Sequence, residues 1–337
     1  MKKIFIHALG ILTLMLAMGL QVQAQDPQYS QFYSNLLALN PAFAGSAGGP
    51  RIAMNFRGQW IKIPGYYQQA AFSMDMPIFP LGTSQGIGIN FNADRAGEGD
   101  LTKLSLNFNY AYEVELVKRE HYIRFGLSGG IIQATIDPFK LVFPDQIDPS
   151  CGFCLPTNEP LGEWQTNRVV EDVSAGFVYY NEFAYIGLTA NHITQPDETF
   201  TRTVGAPGGL ETRLPIKYTL TGGLNIPVRS MGSRREVSVT PAFLAKFQGE
   251  FFQVDAGLYV NAEPMVFGLW YRHQDAIIGL IGIQYENYRF GVSYDYTTSS
   301  LGQGNSGGSV EASLQMEFEQ YQRVKKRKHR KMPCPRF

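Results

Sequence analysis

Two cysteines, Cys151 and Cys154, have the spacing of a redox pair or of half a zinc site. The chain around them is rich in proline and lacks the strand and helix that flank a redox pair, and no further zinc ligands lie nearby. We therefore predict a disulfide that staples a loop in an oxidising compartment, and no metal site. Cys334 is the remaining thiol, and the sequence does not pair it.

Three histidines could take part in acid–base chemistry, namely His121, His192 and His273. His192 is the best candidate because it ends a predicted strand and Asp197 follows it closely. No nucleophile motif accompanies it, so we predict a hydrogen-bonding residue of the lumen or rim. The glycine-rich run 302–308 has neither a phosphate-binding lysine nor a following helix, which indicates a loop. We predict no catalytic residue, no cofactor and no enzyme activity.

The elements that position these residues are strands. Residues 309–318 alternate between an apolar face and a polar face; the apolar face holds Val310, Ala312, Leu314, Met316 and Phe318, and the polar face holds Glu311, Ser313, Gln315 and Glu317. Successive side chains of a strand point to opposite sides, so this pattern fits lipid on one side and water on the other. Similar segments recur at 51–60, 69–76, 87–94, 103–113, 122–133, 170–180, 183–192, 215–227, 236–246, 251–260, 266–272, 276–285 and 288–296.

An even count of about fourteen strands predicts an all-β fold, a transmembrane antiparallel β-barrel spanning residues 51–319. A secreted sandwich or propeller is the alternative, although its strands are usually shorter. Ten charged residues would face the lumen of the barrel, where they could lock a plug, line a pore or pair only for structural reasons. They are Arg51, Arg57, Asp75, Asp94, Glu113, Arg124, Asp255, Arg272, Arg289 and Asp295.

The chain begins with a secretory signal over residues 1–24. Lys2 and Lys3 precede an apolar run at 4–20, and Val-Gln-Ala at 22–24 offers a cleavage site that would leave Gln25 first. An uncleaved membrane anchor is the alternative, but the run is short. Export places the protein where nucleic acid is absent, so we predict no nucleic-acid partner.

The N-terminal segment 25–50 is a candidate plug. Residues 29–39 place apolar side chains at helical spacing, and Asn40 and Pro41 then break the pattern. A plain leader into the first strand explains the segment equally well. Three long connections follow later, at 137–168, 194–213 and 297–308, and in barrels of this kind such loops are extracellular.

The C-terminal residues 320–337 form a basic tail, which we predict to be periplasmic because a barrel chain leaves its last strand on that side. From residue 323 onward there are eight basic residues and no acidic one. Such a tail attracts an acidic partner or a cell-wall polymer, or is simply a solvated chain. The central cations are Lys325, Lys326, Arg327, Lys328, Arg330 and Lys331.

Several short motifs, in this order, resemble those of the PorP/SprF family of Bacteroidetes outer-membrane proteins. They are QDPQYSQFY at 25–33, NPAFAG at 40–45, NFRGQW at 55–60, DVSAGF at 172–177, GLTANH at 187–192, GVSYDY at 291–296 and GSVEASL at 308–314. The basic end, with Pro333, Cys334 and Pro335, is also similar. Each motif is modest alone, but together they span nearly the whole exported chain.

The resemblance implies a component of the type IX secretion and gliding machinery, with a fold similar to fourteen-stranded barrels of the fatty-acid transporter type. It implies a protein integral to the outer membrane that assists the secretion or surface attachment of a specific cargo such as an adhesin. Its expected partners are type IX secretion components, the cargo and outer-membrane lipid. The alternative is a passive channel or a transporter of hydrophobic solutes, which needs an open lumen.

Overall fold

The structure, a computed structural model, describes residues 26, 28–79, 84–117, 120–200, 213–228, 237–299 and 307–318. The signal segment, most of the glycine-rich run 302–308, Cys334 and the basic tail from Lys325 to Lys331 lie outside these residues. Within the described part of the chain, no helix has the length and apolar character needed to cross a bilayer.

Fourteen long strands form one antiparallel ring among the described residues. The ring closes where the first strand pairs with the last, Arg51–Gln59 with Ser309–Glu317, and where Lys217–Leu224 pairs with Val237–Gln248. The prediction of an all-β barrel of about fourteen strands is confirmed. The ring strands are β1 Arg51–Gln59, β2 Tyr67–Ile78, β3 Gln85–Ala96, β4 Leu101–Val117, β5 His121–Thr135, β8 Asn167–Tyr180, β9 Ala184–Asn191, β10 Lys217–Leu224, β12 Val237–Gln248, β13 Phe251–Ala262, β14 Met265–Arg272, β15 Ala276–Tyr285, β16 Tyr288–Thr297 and β17 Ser309–Glu317.

Three short strands complete the described sheet structure. β6 Ile147–Asp148 and β7 Gly152–Phe153 form a separate hairpin, and β11 Ile226–Val228 continues β10 along β12. The predicted single strand 215–227 is therefore interrupted at Asn225. The interruption lies opposite Thr240 and Pro241, and proline has no N–H to donate to the ladder.

The alternation along each strand places apolar side chains outside and polar side chains inside. Phe108 is 63% exposed and Leu127 is 61% exposed, whereas Arg124 and Glu311 are fully buried. An exposed apolar exterior around a polar interior is the arrangement of a barrel in lipid. Closure also gives each of the fourteen ring strands two neighbours among the described residues, which satisfies the backbone groups of the paired positions without water.

The two rims of the barrel differ in the length of their connections. The long-loop rim holds the connections 60–66, 97–100, 136–166, 192–216, 249–250, 273–275 and 298–308. The short-turn rim holds the others, and both Pro50 before β1 and Phe318 after β17 lie there. The strand ends that flank the three long connections expected from the sequence therefore all lie at one rim.

Residues 30–47, called the lumen segment here, occupy the inside of the ring. The segment contains one short helix, α1 Leu36–Leu39, and a 3-10 turn at Pro41–Phe43. Asn35 caps the helix by accepting a hydrogen bond from Ala38 N–H, and Asn40 caps the turn by accepting one from Ala42 N–H. The helical spacing noted at 29–39 thus corresponds to a single helical turn.

Two glycines let the backbone of the lumen segment approach the barrel wall. A Cβ at Gly126 of β5 would lie 2.1 Å from the Ala42 nitrogen, and one at Gly86 of β3 would lie 1.8 Å from the Ala44 oxygen. Neither strand could carry a side chain at these positions without moving the segment, so glycine is required for the close approach.

Replacing Gly126 by alanine should therefore loosen the lumen segment. We expect the variant to lose about 1–3 kcal/mol of unfolding free energy through overpacking, and to become sensitive to protease within residues 30–47. Urea unfolding and limited proteolysis with mass spectrometry measure the two effects. Gly129→Ala on the same strand is the matched control, because no described atom lies within 4 Å of its Cβ position. Equal behaviour of the two variants would contradict this packing.

Candidate functional site

The carboxylate of Glu311 anchors the start of the lumen segment near the long-loop rim. Its oxygens accept hydrogen bonds from the backbone N–H groups of Ser30, at 2.7 Å, and Gln31, at 3.2 Å. They also accept from Asn55 Nδ2 at 2.9 Å and lie 3.4 Å from an Arg57 nitrogen. A fully buried carboxylate thus gains several partners, which offsets the cost of removing its charge from water.

Two arginines from different strands complete this anchor. Arg57 lies 2.8 Å from Asp295, and Arg272 lies 3.4 Å from Asp295 and 3.3 Å from Asp255. Both arginines donate to the hydroxyl of Ser30, at 2.5 and 3.1 Å, and that hydroxyl donates to Asp295. The charged network therefore converges on one residue of the lumen segment.

A second set of charges holds the other end of the segment near the short-turn rim. Arg51 pairs with Asp75 at 2.9 Å, and Asp75 accepts a hydrogen bond from Gly45 N–H at 2.7 Å. Arg124 pairs with Glu113 at 2.8 Å and donates to the carbonyl oxygens of Ala42 and Ala44. The segment is tied at both rims by arginines and carboxylates of the strands.

Aromatic rings fill the space between the two charged sets. Tyr33 of the lumen segment packs on Tyr185 and Tyr259 of the wall, with ring centroids 6.3 and 5.9 Å apart. Phe32 lies edge-on to Trp270 at 5.1 Å. Tyr33 and Trp270 are each 1% exposed, so this part of the lumen is a packed core.

The ten charged residues expected in the lumen all face inward by the register of their strands. Among the described residues, eight of the ten contact the lumen segment or pair with a residue that does, and the other two do not. Arg289 pairs with Glu317 at 3.0 Å, and Asp94 lies on the inner face of β3. Of the three roles considered from the sequence, most of these charges therefore have the first, which is to hold a segment inside the barrel.

His192 lies at the long-loop rim between two carboxylates. Its Nε2 is 2.8 Å from Asp26 and its Nδ1 is 3.0 Å from Asp172, and Lys217 also pairs with Asp26. Asp197, the neighbour suggested by the sequence, pairs instead with Arg168 at 3.5 Å. Asp26 is separated from His192 by 166 positions, so no local signal in the sequence could have indicated the pair.

The other two histidines lie apart from this group. His121 Nδ1 is 2.6 Å from the Tyr179 hydroxyl, at the start of β5 and the end of β8, and the two rings are stacked. His273 follows β14, and its N–H donates to the Val254 carbonyl. Among the described residues, no group of three or more His, Cys, Asp or Glu side chains is arranged to hold a metal ion.

A cavity of about 140 Å³ lies between the lumen segment and the wall, on the side of the long-loop rim. This cavity was not predicted from the sequence, although asparagines alternate along two adjacent predicted strands, at Asn90 and Asn92 and at Asn107 and Asn109. The wall contributes amides, hydroxyls and charged groups, and the segment contributes mainly carbon atoms. Its polar lining residues are Asp26, Tyr29, Asn90, Asn92, Lys103, Ser105, Asn107, Asn109, Ser128, Asp172, Ser174, Asn191, His192, Glu198 and Lys217.

The connection 136–166 is the longest connection at the long-loop rim for which the structure describes every residue. Lys140 of this connection pairs with Asp100 of the neighbouring turn, and Arg95 donates to the same carboxylate at 2.8 Å. The hydrogen bond from Lys140 and, to a lesser extent, the one from Arg95 hold the pKa of Asp100 below its usual value. This tether is therefore present at neutral pH and is lost as the pH falls through that lowered pKa.

The two cysteines lie at the hairpin of β6 and β7 in the same connection. Their Cα atoms are 5.9 Å apart, and the structure joins Cys151 and Cys154 as a disulfide. The side chains around them are exposed, so the bond constrains a surface hairpin at the long-loop rim.

The disulfide predicts a specific pattern of alkylation. In unreduced, denatured protein we expect iodoacetamide to modify Cys334 alone, and to modify Cys151 and Cys154 only after a reductant is added. Peptide mass spectrometry reads the result. Cys151→Ser is the control, because it should expose Cys154 without reductant. Modification of all three thiols in the unreduced wild-type protein would contradict the bond.

Three solved structures similar in fold are distant from this chain in sequence. A mutant of the TodX monoaromatic hydrocarbon channel is 11% identical, with a TM-score of 0.39, covering 83% of this chain and 92% of that one. BamA from Haemophilus ducreyi is 7% identical, with a TM-score of 0.38 and coverage of 80% and 70%. A mutant of the ferric enterobactin receptor from Pseudomonas aeruginosa is 11% identical, with a TM-score of 0.34 and coverage of 75% and 45%. This chain thus spans less than half the length of that receptor.

Sequence comparison gives a more specific result than the fold. No curated protein matches the chain. Residues 21–316, which include all the strands except the final residue of β17, match a family described as type IX secretion system membrane protein PorP/SprF. The match begins within the expected signal segment and continues through the lumen segment and the barrel. The chain belongs to the PorP/SprF family of type IX secretion system membrane proteins.

Proposed function

We propose that this protein is an integral outer-membrane component of type IX secretion that assists the export or surface attachment of a specific cargo, such as an adhesin. It acts by binding, without catalysis. The apolar outer face contacts outer-membrane lipid, the long-loop rim is extracellular and the basic tail is periplasmic. Family membership supports the role in secretion.

The observation that carries the proposal is that long connections gather at one rim of a barrel whose lumen is occupied. Loops at the rim of a rigid scaffold are where barrels of this kind meet partners. The hairpin with Cys151 and Cys154 and the tether between Lys140 and Asp100 give one of these loops a defined shape. A shaped surface binds a folded partner at a lower entropic cost than a free loop does.

A passive channel is less compatible with the same interior. The lumen segment is tied at both rims and packed by aromatic rings in the middle, so a solute would have to displace it. Hydrophobic solutes would also meet the buried charged groups of the wall, at an energetic cost. We expect the purified protein to give no stable single-channel currents in planar bilayers.

Deleting the gene should remove one cargo, or a small set of cargoes, from the cell surface. We expect the remaining surface and culture-fluid proteomes to match those of the parent strain, because the protein serves a dedicated cargo. Quantitative proteomics of both fractions measures this. Two unchanged proteomes, together with altered uptake of a small molecule, would contradict the proposal and favour a transporter.

Complementation separates the loop surface from the barrel. A variant with residues 145–158 replaced by a short Gly-Ser linker should leave the barrel folded but not restore the missing cargo. The control replaces the turn Glu286–Asn287 at the short-turn rim by Asp-Gly, which should restore the cargo fully. The heat-modifiable mobility of each barrel on gels shows that both variants are folded.

The charge of the basic tail provides a second test. Replacing Lys325, Lys326, Arg327, Lys328, Arg330 and Lys331 by glutamine should reduce cargo display and weaken recovery of secretion components with the barrel, because an acidic partner loses its cations. The matched control replaces only the four lysines by arginine and keeps the charge. Unchanged display in the glutamine variant would refute a docking role for the tail.

A further inference from the structure

The cavity beside the lumen segment has the chemistry of a ligand site rather than of a packing defect. It lies among β3, β4, β5 and β8 and is called the asparagine cavity here, after Asn90, Asn92, Asn107 and Asn109. Empty cavities in proteins are usually apolar, whereas polar cavities hold water or a ligand. The composition of this lining therefore raises the question of what occupies it.

Two side-chain hydrogen bonds fix amides of the cavity. Asn109 Nδ2 donates to Asn90 Oδ1 at 2.6 Å, and Asn92 Nδ2 donates to Ser105 Oγ at 3.2 Å. An amide has two N–H donors and an acceptor oxygen, so each pair keeps unused donors and acceptors. These free groups are held in place by rigid strands, which favours recognition of a ligand with several hydroxyls.

Three buried oxygen atoms of the lining have no hydrogen-bond partner among the described residues. They are Asp172 Oδ1, Glu198 Oε1 and the Tyr29 hydroxyl. Asp172 is 5% exposed and Glu198 is 8% exposed, so bulk water does not readily satisfy them. A buried carboxylate oxygen without a donor is costly, and a ligand that donates hydrogen bonds would remove that cost.

The charges of the cavity are already matched within the protein. Glu198 pairs with Lys103 and Asp26 pairs with Lys217. His192 lies between Asp26 and Asp172, and its protonated form balances the third carboxylate. A charged ligand would have to break one of these partly buried pairs. The matched charges therefore favour a ligand that is polar but neutral.

The apolar side chains of the lining and the volume of the cavity further restrict the size and chemical class of the ligand. Leu37, Ala38 and Pro41 of the lumen segment line the cavity, and so do Ile132 and Leu214. The volume of about 140 Å³ is close to that of the ~150 Å³ engineered protein cavity that admits benzene, which is suited to one six-membered ring. A pyranose ring has this combination, with C–H faces that pack on carbon and hydroxyl edges that bind amides and carboxylates.

We infer that the asparagine cavity binds a neutral, hydroxyl-rich ligand of monosaccharide size, either a free sugar or one residue of a lipid-linked glycan. Buried carboxylate oxygens exclude a hydrophobic solute and repel an anion such as a sugar phosphate. This site is distinct from the loop surface proposed for cargo and does not depend on it.

Ligand-observed saturation-transfer NMR on the full-length protein in detergent tests the inference. The probes are glucose, galactose, mannose and N-acetylglucosamine, with glucose 6-phosphate and glucosamine as charged analogues and toluene as an apolar one. A further probe is the oligosaccharide released by mild acid from the lipopolysaccharide of the source cells. We expect transfer to the ring protons of at least one neutral saccharide and about tenfold weaker binding of the charged analogues.

Asn107→Leu tests whether binding occurs in this cavity, because the variant fills it with carbon and breaks neither the Asn109–Asn90 nor the Asn92–Ser105 hydrogen bond of the lining. We expect at least about tenfold weaker binding. The matched control is Phe108→Leu, the next residue on β4, which faces outward and should bind normally. Heat-modifiable mobility on gels shows that each variant is folded.

Each outcome decides the inference. Binding of free monosaccharides indicates a soluble sugar, and binding of the released oligosaccharide alone indicates a lipid-linked glycan; both support it if Asn107→Leu abolishes the signal. No transfer to any neutral saccharide would overturn it and leave a water-filled cavity. Preferential binding of a charged analogue or of toluene, or unchanged binding in Asn107→Leu, would also overturn it.

Discussion

The carboxylate of Glu311 is the contact on which the rest of the interior depends. It belongs to β17 and lies opposite Arg57 of β1, at the seam where the first and last strands close the ring. The same group accepts hydrogen bonds from the backbone of Ser30 and Gln31. Closure of the barrel and attachment of its lumen segment therefore share one buried side chain. Loss of that group would leave Arg57 with one fewer partner and two buried N–H groups without theirs.

The filled lumen makes the interior of this barrel resemble the core of a soluble protein. Ion pairs at the two ends and aromatic packing in the middle leave a small polar cavity among the described residues. The outer face needs only an apolar surface, so specificity must come from the rims and from that cavity. A rigid, occupied barrel holds its loops at fixed positions, which a partner can recognise without ordering the scaffold first.

The barrel could be predicted from the sequence because apolar and polar side chains alternate along each strand segment, even where charged residues are few. Glu311, flanked by Val310 and Ala312, is a clear example. The sequence offered a plug or a plain leader equally for residues 25–50, and it could not decide between them because the helix is a single turn and its partners are distant in sequence. The ion pair of His192 with Asp26 could not be predicted either, because only the closed ring brings these two residues together. The interruption at Asn225 depends on Pro241 of another strand, so reading one strand alone could not reveal it.

The lumen segment also constrains the order in which this barrel can fold. Ser30 contacts Glu311 across 281 positions of the chain, and strands from both halves surround the residues between. A contact of such long range forms late, because the loop that it closes is large. The seam between β1 and β17 is therefore best closed after the segment is inside, with the segment acting as a template around which the strands assemble. A cell that inserts this protein must keep an open-edged, partly formed sheet from aggregating until the final strand arrives.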